Sequence, residues 1–365
     1  MGSNRFSCQK IKELSELVFR RYGYTQEEAG QITDVLITAD LFGIESHGCQ
    51  RLTLYTDGIK KIGRIKQGKK PEVVRETALS ALIDAHEYMG QIAAAMGTKI
   101  AIEKAGKSGM AIVCVKNSNH FGIAGYYARM IAQNQMFGMA MTNSEALMVP
   151  TNGRRALIGT NPIAVAMPAE PYPFLMDIAT TVVPRGKLEV CNKKGRTIPE
   201  GWAVDDTGEI TADPKRVTDC IAAKKCGGIL PLGGASELFG GHKGYGLGMM
   251  VEIMTGIFSG GVTSDMVRHQ FDSDQCSHMF LAIDYGMFGE RSEIETAFQR
   301  YLLKIRNSEL AKGATRIYTH GQKEMMAFKQ NLIQGIYLND KTVEEITALC
   351  RDLELPAEDY LVLIK

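Results

Sequence analysis

Met110-Ala-Ile-Val-Cys-Val115, followed at once by Lys116-Asn117-Ser118-Asn119-His120-Phe121-Gly122, is the stretch that decides the fold class. A short unbroken apolar run reads as a strand buried in a sheet. The polar cluster behind it reads as the loop at that strand's carboxyl end, and residues from about Ile123 to Asn134 as the next helix. From about residue 72 the same alternation extends in both directions. Ser80–Ile83 reads as a strand and Gly90 to Ala105 as a helix. Phe137–Met141, Ile163–Met167, Phe174–Met176 and Met279–Ile283 read as further strands, and residues 243–258 and 292–311 as helices. Strands interleaved with helices build a sheet with helices packed on it, an α/β arrangement. Between them, Gly195 to Asp213 is turn-rich, with a loop or hairpin at Asp205–Gly208.

Two more strands end as the first one does. Gly138–Met141 runs into Thr142-Asn143-Ser144, and Phe174–Met176 into Asp177-Ile178-Ala179-Thr180-Thr181. Loops outside the carboxyl ends of strands carry ligands in open α/β sheets, because the sheet stays rigid beneath them. Asn, Ser and Thr also cap helices and form turns, so each cluster alone admits both readings. His120, after Asn-Ser-Asn and before an aromatic residue and a glycine, stands where a general acid or base belongs.

The head of the chain has a different pattern. Residues 9–21 form an amphipathic helix, and Thr25-Gln26-Glu27-Glu28 has the form of a capping box opening a helix to about Phe42. Gly43 breaks it, Ser46 is a candidate N-cap, and a helix over residues 47–60 would put His47 and Arg51 on one face. An imidazole that moves a proton beside a guanidinium that grips a carboxylate suits a small-acid substrate. The tail is helical again from about Gln322, with Thr342-Val343-Glu344-Glu345 opening the last helix. Head (1–71) and tail (315–365) are expected to pack as one helical subdomain around an inserted α/β core (72–314).

Composition narrows the function classes. At 365 residues the chain is long enough for one large or two intermediate domains. Its 42 Lys and Arg nearly cancel 41 Asp and Glu without long runs of either sign, which argues against a nucleic-acid or membrane-surface partner. No apolar run approaches the length of a membrane span. Eight scattered cysteines with no C-x-x-C pair read as reduced thiols, so the cytoplasm is the expected compartment. The seven histidines show no metal-ligand spacing, and no metal is expected.

Gly233 to Gly248 is glycine-rich and runs into an apolar helix. Glycines let backbone amides approach an oxyanion, a helix N-terminus adds its positive end, and Lys243 adds a mobile charge. Tight helix packing is the other reading. The segment lacks the Gly-Lys-Ser/Thr ending of a P-loop, which counts against a phosphotransferase, and nothing matches the G-x-G-x-x-G fingerprint with its acidic partner.

Taken together and in order, these segments resemble the type-2 malate/L-lactate dehydrogenases. Gly43-Ile-Glu-Ser46-His47-Gly-Cys-Gln-Arg51 is similar to that family's Ser-His-Gly-x-x-Arg signature, and Asn117–Gly122 to its second one. Thr142-Asn143-Ser144, Gly159-Thr160-Asn161-Pro162, Met176–Thr181, Arg185-Gly186-Lys187 and Gly240–Leu247 follow in the family's order. The resemblance implies an α/β (α+β) fold with a non-Rossmann NAD(P)-binding core built on a mixed sheet. It also implies a homodimer and hydride transfer between NAD or NADP and a 2-hydroxy acid. His47 and His120 become the acid/base candidates, with Ser46 beside them. Arg51 becomes the carboxylate clamp, with Ser144, Thr160, Asn161 and Arg185 nearby. Asp177, Ile178, Ala179, Thr180 and Thr181, then His242-Lys243-Gly244, then His320-Gly321-Gln322 become cofactor contacts. The last turn usually reads Pro-Gly-Glu in the family, so this chain departs from it there.

The longer glycine loop from Pro231 to Gly241 resembles the malate branch, which points to (S)-malate and oxaloacetate. L-Lactate, sulfolactate or a cyclic imine are the rival substrates. A catalytically silent nucleotide-binding protein is the rival of a different class, and the two histidines with Arg51 speak against it.

Overall fold

The apolar runs become one seven-stranded sheet in the computed structural model, which describes residues 4–268 and 274–364. The chain opens with a two-residue strand β1 (Arg5–Phe6), then α1 (Cys8–Arg21) and α2 (Gln26–Leu41). α2 begins on the expected capping box, Thr25 Oγ1 accepting from the Glu28 N–H and the Glu28 carboxylate from the Thr25 N–H.

The expected helix over 47–60 does not form as one piece. Glu45–His47 and Cys49–Arg51 are separate 3₁₀ turns, and α3 runs only over Leu52–Lys60. The cause is the buried Asp40 carboxylate of α2, which accepts the Cys49 N–H at 2.8 Å. It lies where a Cβ on Gly48 would be, so only glycine fits the step between the turns. Ser46 caps no helix. Its hydroxyl instead meets His47 Nδ1 at 2.8 Å.

Then come β2 (Glu72–Glu76), β3 (Ser80–Asp84), α4 (Gly90–Ser108), β4 (Met110–Ser118), α5 (Ala124–Gln133), β5 (Phe137–Thr142), β6 (Ile163–Met167) and β7 (Phe174–Ile178). A smaller lobe follows, α6 (Arg185–Lys193), β8 (Ala203–Val204), α7 (Pro214–Ala222) and β9 (Gly228–Ile229). The expected loop or hairpin at Asp205–Gly208 is a hairpin, Val204 bridging Ile210 antiparallel. The chain then returns through α8 (Gly241–Glu252), which continues into a π-helical turn at Ile253–Ile257, to β10 (Cys276–Ile283) and α9 (Arg291–Arg306). It closes with α10 (Gln322–Gln334), β11 (Ile336–Tyr337) and α11 (Asp340–Asp352). The cap of α11 is Asn339, whose side chain accepts the Thr342 N–H, so Thr342 lies inside the helix and does not open it.

The sheet order is β2-β3-β4-β10-β5-β6-β7, with β3–β4 parallel and its other pairings antiparallel. This mixed pattern has one consequence for function. The carboxyl ends of β3, β4, β5 and β7 and the amino ends of β6 and β10 meet along one rim. Ser118 faces Cys276, His278 faces Thr142, and Ile163 faces both Met141 and Ile178.

One sheet face packs on α4 and α5 through Ala94, Tyr127, Ile131 and Phe280. The other packs on α8 and its π turn through Met141, Val251, Met254 and Met279. Alternate residues of β10 serve the two layers, as the period of a strand requires. A further apolar cluster joins the head (Leu14, Leu36, Tyr55) to the tail (Ile336, Ile346, Cys350).

Candidate active site

The rim gathers most of the polar residues singled out in the sequence. His120 follows β4, and its ring lies on that of His47, centroids 5.5 Å apart and planes 27° from parallel. Tyr55 of α3, fully buried, places its hydroxyl 2.7 Å from His120 Nδ1. Tyr55 stands four residues after Arg51, a helical spacing the sequence showed but its residue type did not flag. Burial, then the Arg51 charge, push the His47 imidazole down to about 4. Burial, then the neighbouring His47 and Arg51, hold His120 well below the usual histidine range. Both rings are neutral at pH 7, the state in which an imidazole accepts a proton.

Arg51 anchors its Nε–H on the Ser46 carbonyl at 2.6 Å and has no carboxylate partner among the described residues. Two carboxylates elsewhere on the rim are already paired. Asp274, buried, accepts from Arg268 at 2.5 and 3.1 Å and from the backbone N–H of His120 at 3.3 Å, and it lies 3.3 Å from Arg64 Nε. Glu145, next to Ser144, lies between Arg268 (3.6 Å) and Arg185 (3.8 Å). Arg268 and Asp274 are the framework of the site, and sequence reasoning missed both. Nothing local marks them, because their roles exist only once β10 lies beside β4. His278 was missed for the same reason. It is fully buried, bridging Thr142 Oγ1 and Ser118 Oγ at 2.8 Å each and stacked 4.4 Å from Phe121. It ties the ends of β4 and β5 together.

Ser144, Thr160 and Asn161 come together as expected. Ser144 Oγ lies 3.2 Å from Thr160 Oγ1 and accepts the Thr160 N–H at 3.0 Å. Asn161 is fully buried, and its side chain is consumed internally. It accepts from Ser144 N–H and Ser264 Oγ, and donates to the Gly248 carbonyl and the Glu252 carboxylate. It therefore fixes the position of Ser144 and has no amide group left over. A cavity of about 260 Å³ opens beside Glu145, with Arg155, Lys224, Lys225 and Met266 in its wall.

The segment after β7 touches this group through Thr160, whose carbonyl accepts both the Thr180 N–H (2.8 Å) and the Thr180 hydroxyl (3.1 Å). The Thr181 hydroxyl bonds the Val183 carbonyl. The Asp177 carboxylate accepts the Gly125 N–H at the start of α5, and burial raises it to about 6. Ile178 and Ala179 are half-buried. The turn His320-Gly321-Gln322 packs beside β7, the His320 carbonyl accepting the Leu175 N–H and its ring lying against Phe174. Gly321, at φ +88°, faces Leu175 where a side chain would collide, and Gln322 is buried. Among the described residues no hydrogen bond or ring contact joins this turn or the His242-Lys243-Gly244 segment to the two histidines.

Part of the glycine loop serves tight packing. Gly241, Gly244 and Gly248 are buried, and a Cβ on each would strike Gly234, Leu232 or Met148. Gly240, at φ +87°, starts α8 with no side-chain cap, and His242 and Lys243 are exposed there. The first turn of α6 also has no side-chain cap, and Gly186 in it has open space around it. Uncapped amides at the start of α8 beside Lys243 suit an anionic pyrophosphate, so the residues present fit a nicotinamide dinucleotide.

Comparison with known proteins gives the family. The family model described as malate/L-lactate dehydrogenase matches residues 6–347. A malate dehydrogenase of Pyrococcus abyssi is 45% identical over 336 residues, 92% of this chain and 91% of that one. A malate/(S)-sulfolactate dehydrogenase of Methanothermus fervidus is 36% identical, covering 96% of this chain and 98% of that one. The crystal structure of a malate dehydrogenase from Entamoeba histolytica superposes with a TM-score of 0.93 at 34% identity, covering 97% of this chain and 99% of that one.

Proposed function

Because the chain belongs to the malate/L-lactate dehydrogenase family and is an oxidoreductase of 2-hydroxy acids, we propose that it interconverts (S)-malate and oxaloacetate, with His120 as the acid/base and Arg51 as the carboxylate clamp. The observation that carries this reading is the stack of two neutral imidazoles beside a guanidinium with no carboxylate partner among the described residues. NAD or NADP, when bound, takes the C2 hydride in oxidation and returns it in reduction. Val183 and the segment from Asp177 to Thr181, His242-Lys243-Gly244 and the turn His320-Gly321-Gln322 hold the cofactor.

In oxidation Nε2 of His120 takes the hydroxyl proton. In reduction the same nitrogen, protonated, polarises the keto oxygen and returns that proton. Both Nδ1 atoms have a hydroxyl partner, and His120 is chosen over His47 because its partner, Tyr55, is fully buried and holds the ring in place, whereas Ser46 beside His47 is exposed. Arg51 holds the C1 carboxylate through two parallel N–H bonds, a geometry lysine does not offer. Ser144 and Thr160 offer hydroxyls to the substrate, with Arg185 beyond Glu145 for the second carboxylate. Ser46 orients His47.

The decisive assay follows NADH and NADPH absorbance against oxaloacetate, pyruvate, sulfopyruvate and a cyclic imine. Oxaloacetate is expected to turn over with the highest kcat/KM, and no oxidation with any of the four overturns the reading. Arg51→Lys is expected to raise KM for malate by about 10-fold or more with cofactor binding intact. Unchanged malate kinetics would remove Arg51 from the site. His120→Asn is expected to abolish turnover while leaving NADH binding unchanged, and His47→Asn to cost less. The reverse ranking would move the proton to His47.

The protein is further proposed to be a cytoplasmic homodimer. Its eight cysteines are free thiols, and no helix among the described residues is long and apolar enough to cross a membrane. Met249, Met250, Ile253, Ile257 and Phe258 line the outward side of α8 and its π turn, Ile257 and Phe258 being 58% and 59% exposed. A contiguous apolar face of this kind calls for a cover, and a second copy supplies one. Light scattering after gel filtration should give twice the chain mass, and Ile257→Asp should halve it.

A further inference from the structure

Glu252 is the last residue of α8 and is buried, and no cation pairs with its carboxylate among the described residues. A carboxylate withdrawn from water in this way is costly unless donors surround it. Here they do. Its Oε1 accepts Asn161 Nδ2–H at 2.7 Å and the Ser264 hydroxyl, and its Oε2 accepts the Ser264 N–H at 3.2 Å. Asn161 and Ser264 are themselves buried, and the Ser264 hydroxyl also lies 3.2 Å from Asn161 Oδ1. Directly after Glu252 the helix becomes π-helical, an irregularity often found at functional sites.

What these two residues hold is the segment that leaves β5. Asn161 Oδ1 accepts the Ser144 N–H at 3.1 Å, and the Ser264 carbonyl accepts the Ala146 N–H at 3.1 Å. The backbone is thus pinned on both sides of Glu145, and Glu252 stands behind both pins. Crowding leaves the arrangement little slack. A Cβ on Gly159 would strike Asn161 Oδ1, the Ser144 carbonyl and the Ser144 hydroxyl.

We propose that Glu252 is a positioning residue of the dehydrogenase site. Through Asn161 and Ser264 it sets the segment from Ser144 to Ala146, so that the Ser144 hydroxyl stands 3.2 Å from that of Thr160 and the two together face the hydroxy acid. Glu252 itself touches no substrate. The proposal rests on the reading of Ser144 as a substrate contact. The cofactor end of α8 is remote, with Lys243 about 14 Å away along the axis at about 1.5 Å per residue. A disturbance at Glu252 therefore reaches the substrate and spares the cofactor.

The test is a double-mutant cycle with Glu252→Gln and Ser144→Ala in the full-length protein. Glu252→Gln keeps the volume and one acceptor oxygen but turns an amide N–H toward a donor, so one of the two arms breaks. KM for oxaloacetate is expected to rise about 10-fold, with kcat within about three-fold and NADH affinity within about two-fold of the parent, because a hydroxyl that only binds substrate acts on KM. A glutamate that served folding alone would lower the fraction of active enzyme, which reduces the apparent kcat and leaves KM where it was. In the Ser144→Ala background the same substitution should change KM by no more than about two-fold. Should Glu252→Gln not fold, Ser264→Ala removes the hydroxyl and keeps the backbone N–H and carbonyl, and KM is expected to rise about three-fold. An unchanged KM, or equal rises with and without the Ser144 hydroxyl, overturns the proposal. Failure of the parent reading shows separately, as a Ser144→Ala enzyme with unchanged KM. A crystal structure of Glu252→Gln then decides: Ser144 displaced from Thr160 supports the role of Glu252, and an unmoved Ser144 overturns it.

Discussion

Asp40 shows how much a single buried carboxylate decides. It accepts one backbone N–H, from Cys49, and no cation pairs with it among the described residues. Burial pushes it up to about 7. Raising a carboxyl's pKa on folding means the folded state prefers the protonated form. The stability it contributes is complete below about pH 4 and is lost as the pH rises through about 7, a difference of a few kcal/mol. Asp40→Asn keeps an acceptor for Cys49 without the charge. Its Tm relative to the parent is expected to be higher at pH 8 than at pH 4, and a difference that does not change with pH would remove Asp40 as the source. Since His47 and Arg51 sit on the turns Asp40 pins, Asp40→Ala should lower turnover as well as Tm. The histidines titrate with the opposite sign. Both are held low, so the acid limb of kcat/KM should fall below the ordinary histidine value near 6.5. At this scale the sequence disclosed His47, His120 and Arg51 because they stand in dense polar clusters. It did not disclose Tyr55, Arg268, Asp274 or His278, because a tyrosine on a helix or a histidine in a strand has no local mark. Their chemistry comes from what lies across the sheet.

Among the elements, strands were the most legible, since short apolar runs have few alternatives. The differences concern ends. β4 continues three residues past Val115 because Lys116 to Ser118 still pair with neighbouring strands, and Asn117 turns its amide onto the Asp84 carboxylate at 3.0 Å. The small lobe was illegible because its strands are two residues long and rest on the cluster of Leu188, Val217 and Ile229, not on a periodic pattern. α8 offers a paired test of the glycine loop. A methyl on Gly244 would meet the Leu232 backbone, whereas Gly246 has open space around it. Gly244→Ala is expected to lower Tm by several degrees. Gly246→Ala should raise stability by up to about 1 kcal/mol, because alanine is the better helix former. If Gly246→Ala also weakens NADH binding, measured by fluorescence titration, the cofactor lies along that outer face. If it does not, the contact is confined to the first turn.

For the whole molecule the question is whether head and tail form a unit around an inserted core, and we propose that they do, with residues 1–71 and 315–365 as that unit. One apolar cluster runs from Phe6, Leu14 and Leu36 to Ile336, Ile346 and Cys350, so the tail completes a core the head begins. β1 and β11 add a two-stranded pairing between them, and Asn331 of α10 donates to the Asp40 and Leu41 carbonyls at the end of α2. The unit is not independent of the sheet, however. α2 presents Val35, Ala39 and Phe42 to the cluster built on α4 and α5, and Val35 packs where Gly122 lacks a side chain. The candidate site lies across that seam, with His47, Arg51 and Tyr55 from residues 1–71 set against His120 and Asp274 from residues 72–314. A fragment of residues 72–314 would therefore expose the α2-facing surface of α4 and α5 and lose the carboxylate clamp. It is expected to be less stable than the whole chain, with a lower Tm and a broader transition, and to have no turnover while retaining some NADH affinity through α6 and α8. Adding the head alone should restore little, since the cluster that holds it needs Ile336 to Leu355 as well, whereas head and tail supplied together should restore activity. A 72–314 fragment that melts as sharply as the full chain and turns over oxaloacetate at the same rate would show that the core neither rests on the helical unit nor borrows its residues.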